Sequence, residues 1–116
     1  MVAMVKAGVE LAYETMTAAG IKAELSVFDV TDETAVTNAV NEIGKKYGKI
    51  DALINNAGGL GGRSRFEEMT TDFYKSVLAL NLDSAFYASR AAIPFLKKSD
   101  YASIVNVTSI AANNAG

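Results

Sequence analysis

The sequence predicts an α/β fold: a parallel sheet with three strands and three main helices, layered as a sandwich. Three observations carry that expectation. Helix-like and strand-like segments alternate along the chain, and alternation of this kind implies parallel strands joined by right-handed crossovers. The run "DALIN" at 51–55 is apolar without alternation, as in a strand covered on both faces. Polar and glycine residues gather just past the ends of the strand-like runs, where ligands bind in open α/β sheets.

The first helix is expected within "VKAGVELAYETMTAAG", residues 5–20. Val5, Val9, Ala12 and Met16 recur at three- and four-residue spacing and form one apolar face, and Gly20 suits a left-handed stop. "KAELSVFDV", residues 22–30, is a β-branched and aromatic run that reads as the first strand, ending near Asp29. Thr31 or Asp32 caps the second helix, with Val36, Ala39, Val40, Ile43 and Tyr47 as its buried face. Lys45 and Lys46 complement its C-terminal dipole and Gly48 ends it. "DALIN" is the second strand. A glycine-rich loop follows, and Thr70 or Thr71 caps one long helix through Lys98, with Pro94 kinking or tightening its last turns. "ASIVNVTS", residues 102–109, is the third strand. No repeat, linker or low-complexity tract interrupts the 116 residues, which read as a single domain.

Composition narrows the chemistry. Half the residues are hydrophobic and 21% are charged, ordinary for a globular protein. A net charge of −2 gives no electrostatic reason to expect nucleic acid or an anionic membrane as partner. There is no cysteine, hence no disulfide, thiolate nucleophile or thiolate metal site, and no histidine, hence no histidine triad and none of the commonest metal ligand. No apolar run approaches the ~20 residues of a membrane-spanning helix, and the N-terminus lacks a signal-peptide pattern. A cytoplasmic location is the expectation.

The stretch "NNAGG" at Asn55 to Gly59 is the most informative local feature. Two asparagine amides stand where a strand leaves the sheet, able to tie loop backbone to neighbouring strands. Ala57 and Gly58 then keep the surface low, so that a backbone or a flat ligand can approach closely. On residue chemistry alone, a tight turn stabilised by asparagine explains the stretch equally well. Asn81 falls on the register Val77, Asn81, Ala85, Ala88, Ala92, where an amide among apolar neighbours must be satisfied. Ser109 follows a strand end, where serine is also a common turn residue. Arg63 and Arg65 read as a solvated loop edge, with contact to an acidic substrate as the alternative, and Lys97 and Lys98 as a helix C-terminus.

Four motifs in order resemble the short-chain dehydrogenase/reductase family of NAD(P)-dependent oxidoreductases: "DVTD" at 29–32, "NNAG" at 55–58, "NLDSAF" at 81–86 and "IVNVTS" at 104–109. The resemblance extends from about Gly8 to Gly116. It implies a partial Rossmann-type three-layer sandwich and NAD or NADP as cofactor. Asp29 and the Val30 backbone would meet the adenine. Asn55, Asn56, Ala57 and Gly58 would brace the sheet and line the adenosine side. Asn81 would hold a water in a proton relay, and Ser109 would hydrogen-bond the substrate oxygen.

Two family motifs do not occur in the sequence. The family's phosphate-binding turn has the pattern G-x-x-x-G-x-G on a strand-to-helix turn, whereas Gly58, Gly59, Gly61 and Gly62 have another spacing and no helix is expected before residue 71. The family's acid/base is a tyrosine followed four residues later by lysine. Residues Thr17, Asp51, Leu78, Ala91 and Val105 occupy that place after the five tyrosines. The chain thus reads as the middle of such an enzyme, expected to begin at the family's second helix without the first two strands and the helix between them.

Two functional readings follow. One is a segment of an alcohol dehydrogenase or carbonyl reductase, not competent alone and binding cofactor weakly or not at all. The other is a free-standing α/β assembly or binding module without enzymatic activity. In the family's strand order 3-2-1-4-5, this chain supplies the third, fourth and fifth strands. The third and fourth would stand ~14 Å apart, three strand spacings. Either the gap collapses, bringing 24–30 beside 51–55, or a second copy completes the sheet. The latter is expected, so the partner is a homo-oligomeric one.

Overall fold

The computed structural model describes residues 6–110, with side-chain surroundings from Val9 onward. Helix α1 runs Lys6–Ala18 and α2 runs Glu33–Tyr47. Strand β1 is Ala52–Asn55, and after a loop with a 3-10 turn at Phe66–Glu68 comes α3, Thr71–Leu78. A π-helical turn, Ala79–Asp83, joins α3 to α4, Ser84–Leu96, and β2 is Ser103–Asn106. Val5 lies outside the described residues.

The ends of these helices follow local chemistry. Gly20 at φ 77° closes α1 with a double bond pattern: its N–H donates to Thr17 O (3.0 Å), and the Ile21 N–H donates to Met16 O (3.0 Å). Asp32 caps α2 by accepting from the Thr34 and Ala35 N–H groups, and Gly48 at φ 78° ends it. Thr70 caps α3 through the Phe73 N–H. Past Pro94 the last turn of α4 tightens into i→i−3 bonds, Lys98 N–H to Phe95 O and Ser99 N–H to Leu96 O.

The core lies between α2 and α4. Val36 and Val40 meet Ala92 and Leu96, with Val30 reaching in from the preceding segment. The helices approach so closely at Gly44 that an added Cβ would stand 2.5 Å from the Phe95 ring. β1 and β2 pair in parallel, Ala52 opposite Ser103 through Asn55 opposite Asn106. α4 crosses both strands and covers Leu53 and Asn55, while Ala52 and Ile54 on the opposite face stay exposed.

Three sequence expectations need correction. The sheet has two strands among the described residues, not three: Ile21–Asp29 carries no helix, turn or strand assignment, and none of its backbone N–H groups past Ile21 pairs with another segment's backbone. A strand exists only with a partner, and the β-branched run finds none. Tyr47, expected in the buried face of α2, is 56% exposed, its hydroxyl donating to Glu24. The single long helix is two helices joined by the π turn.

Candidate functional site

Parallel pairing sends the residues after β1 and after β2 out of the same end of the sheet. Asn55 ends β1 and binds both neighbours with its amide: Nδ2 donates to Asn106 Oδ1 across the strands (2.8 Å) and to Ser89 Oγ on α4 (3.1 Å). The first asparagine is therefore a clamp between sheet and helix. Asn106 and Ser89 were not singled out in the sequence. A polar residue inside the apolar run "SIVNV" was the available signal for Asn106, and none marked Ser89.

Asn81 lies within the π turn and holds the loop beyond Asn56. Its Oδ1 accepts from the Gly59 N–H (2.9 Å), and its Nδ2 donates to Gly59 O (2.9 Å) and to Val77 O (2.9 Å). A π bulge shifts the helix register at one residue, a device often found at functional sites, and here the shifted residue is the one facing the glycine loop. A Cβ at Gly58 would lie 2.9 Å from Asn81 Oδ1, so any larger residue there would make that amide shift. The two glycines of "NNAGG" thus permit close approach of a helix side chain to loop backbone.

A cavity of about 530 Å3 opens beside this loop. Val30, Asn55, Asn56 and Ala57 of the expected cofactor-binding set line it, together with Phe28. Asp29 is turned to its own backbone, its Oδ1 accepting from the Thr31 hydroxyl (2.7 Å) and N–H (2.8 Å). Those two bonds, the hydroxyl's first, hold its carboxyl below the usual value. Gly58 and Asn81 meet beyond the cavity's lining. Ser109 follows β2 at the same end of the sheet and is exposed.

One family matches along the whole chain. The short chain dehydrogenase family profile matches residues 1–116. The chain belongs to that family. It is 36% identical over 105 residues to an oxidoreductase of Bacillus subtilis, and 40% identical over 96 residues to a 3beta-hydroxysteroid dehydrogenase of Mediterraneibacter gnavus. Those matches cover 90% and 83% of this chain but only 38% and 34% of the relatives, so the chain spans about a third of their length. Among solved structures, the NADH-dependent reductase A1-R' responsible for alginate metabolism superposes with a TM-score of 0.89 at 31% identity, covering 100% of this chain and 50% of that one. A xylitol dehydrogenase with NAD+ bound gives the same score and identity, covering 99% and 44%.

How the residues present suit a nicotinamide dinucleotide differs along its length. The cavity wall of Phe28, Val30 and Ala57 suits a flat adenine ring, with asparagine amides at its rim. The pyrophosphate has no such place among the described residues: the glycines at 58–62 lead to the 3-10 turn Phe66–Glu68, and no helix N-terminus opens next to them.

Proposed function

We propose that the chain is the part of an NAD(P)-dependent short-chain oxidoreductase, of alcohol dehydrogenase or carbonyl reductase type, that carries the adenosine wall and the substrate-facing serine. The supporting observation is the parallel β1–β2 register, which delivers Asn55–Gly58 and Ser109 to one end of the sheet. Val30 and Asn55 to Ala57 form the nucleotide wall, with Asp29 and Gly58 flanking it. Asn81 fixes the glycine loop, and Ser109 hydrogen-bonds the substrate oxygen. Solved relatives with NAD bound support the cofactor class.

By itself the chain is not a competent catalyst in this reading. It lacks a lysine four residues after any tyrosine, and with it the family's proton donor. General acid–base catalysis of that kind contributes roughly 10²–10⁴ in rate. Calorimetry with NADH and NADPH, run beside a carbonyl-reduction assay, tests the proposal. Binding weaker than micromolar and no rate above buffer are expected. Sub-micromolar affinity, or a robust rate indifferent to Ser109→Ala, would overturn it.

A further inference from the structure

A second cavity, of about 260 Å3, is lined by none of the candidate site residues. Helix α1 contributes Val9, Tyr13 and Met16, which share one helix face at three- and four-residue spacing. Residues 22–25 pass across it, and Ile43 of α2 closes the third side. Ile43 also borders the larger cavity beside the glycine loop, and no other lining residue is common to the two. Val9 is 1% exposed, and Met16, Ala23 and Ile43 are partly buried. Leu25, in the same lining, remains 39% exposed, so an apolar occupant would take further apolar area out of water.

The polar groups of the lining are Tyr13, Lys22 and Glu24, and they are not equally available. Both carboxylate oxygens of Glu24 accept from the Lys46 ammonium (2.6 and 2.7 Å), and the Tyr47 hydroxyl donates to Oε1 as well. A ligand cation would therefore have to displace an ammonium already in place. The Lys22 ammonium and the Tyr13 hydroxyl, by contrast, have no protein partner among the described residues. An ammonium can only donate, and a phenol hydroxyl donates well to an anionic oxygen. Lys22 and Lys46 against Glu24 leave a local excess of positive charge, although the whole chain carries −2. Glu10 and Glu14 of α1 are not among the lining residues.

An apolar lining with a few polar groups that fix orientation is the usual build of a small-molecule site. The volume lies just under the ~300–1,000 Å3 of pockets for drug-sized ligands, which suits a shorter molecule. From these observations we propose that the cavity between α1, residues 22–25 and α2 binds a small apolar carboxylate. Its tail lies among Val9, Met16, Leu25 and Ile43, and its carboxylate accepts from the Lys22 ammonium and the Tyr13 hydroxyl. An amine of the same size meets two lysines, and an alcohol leaves the Lys22 charge unanswered. The inference is independent of the nucleotide wall and of Ser109, so it can fail or hold separately from the function proposed above.

Titration of the isotope-labelled 116-residue chain with octanoate, octan-1-ol and octylamine, followed by methyl NMR, tests this. Octanoate is expected to shift the methyl signals of Val9, Met16, Leu25 and Ile43 saturably, with a dissociation constant on the order of 1 mM. Octan-1-ol should bind about fivefold more weakly and octylamine more weakly still. Lys22→Gln, at an exposed side chain, should weaken octanoate about fivefold without changing octan-1-ol, and Tyr13→Phe should weaken octanoate about threefold. Lys97→Gln, at an exposed lysine outside the cavity, should leave octanoate binding unchanged. The absence of saturable shifts at these methyls would overturn the inference. So would octylamine binding as tightly as octanoate, octanoate shifts confined to Val30 and Ile54 of the larger cavity, or equal losses from the Lys22 and Lys97 variants.

Discussion

The side of the molecule built from α2, β1, α4 and β2 differs sharply from the side built from α1 and residues 21–31, although both have equally apolar sequences. On the first side each apolar run meets another: Val36 and Val40 meet Ala92 and Leu96, and β1 meets β2. On the second, Val9 of α1 is buried, but Leu25 and Val27 remain exposed, and beside Phe28 and Val30 stands a polar tether, the Lys46 ammonium on Glu24 (2.6 Å) joined by the Tyr47 hydroxyl. Apolar sequence states what a segment is suited to bury. Whether it is buried depends on whether a partner stands at the right distance.

Breaking the packed side should have the largest effect. Gly44→Ala places a methyl group against the Phe95 ring, and we expect a loss of about 1–3 kcal/mol in urea-induced unfolding. Val36→Ala, at a side chain only 1% exposed, should cost about 1–3 kcal/mol by removing buried methyl groups. Leu25→Ala, on the second side, should lie within about 0.5 kcal/mol of the parent. Equal losses on the two sides would erase the distinction between them.

Asn81→Ala has an intermediate expected effect. It removes three hydrogen bonds from an exposed site, so a loss of about 1 kcal/mol is expected. The more specific readout is local: the Gly59 amide should exchange faster while the core amides of α2 do not.

The smallest effect is the pH response of the tether. Hydrogen bonds from Lys46 first and Tyr47 second lower the Glu24 pKa from 4.5, and both groups are solvent-exposed. A carboxylate whose folded pKa is depressed contributes stability above its unfolded value, and loses it as pH falls through the lower folded value. Acidification below about pH 4.5 should therefore loosen residues 22–31 before the α2–α4 core responds. Lys46→Met should return the Glu24 midpoint, followed by side-chain NMR, toward 4.5. A depressed midpoint that survives this change would remove Lys46 as the cause.

How much of this was legible in the sequence follows the same division. Gly20 and Gly48 marked helix ends correctly, and of the paired candidates Thr31 or Asp32 and Thr70 or Thr71 the caps are Asp32 and Thr70, because caps act within a few residues. β1 and β2 were legible as apolar runs that do find each other. "KAELSVFDV" carries the same signal but finds no strand partner among the described residues, which no local pattern reports. The unalternating apolar character of "DALIN" anticipated cover on both faces, and α4 supplies one. At the site, the cluster of Val30 and Asn55 to Ala57 was legible from motif positions. The π turn was not, since its register shift answers the tertiary demand of Asn81 for the Gly59 backbone rather than any helix signal.

The difference between the two edges of β1 is the claim on which the rest depends, and amide exchange in the isolated chain measures it residue by residue. Leu53 and Asn55, turned toward β2, should be protected, while Ala52 and Ile54, turned away from it, should exchange about 100-fold faster. Equal protection along Ala52–Asn55 would contradict the account, because it would mean that the edge of β1 away from β2 is already paired.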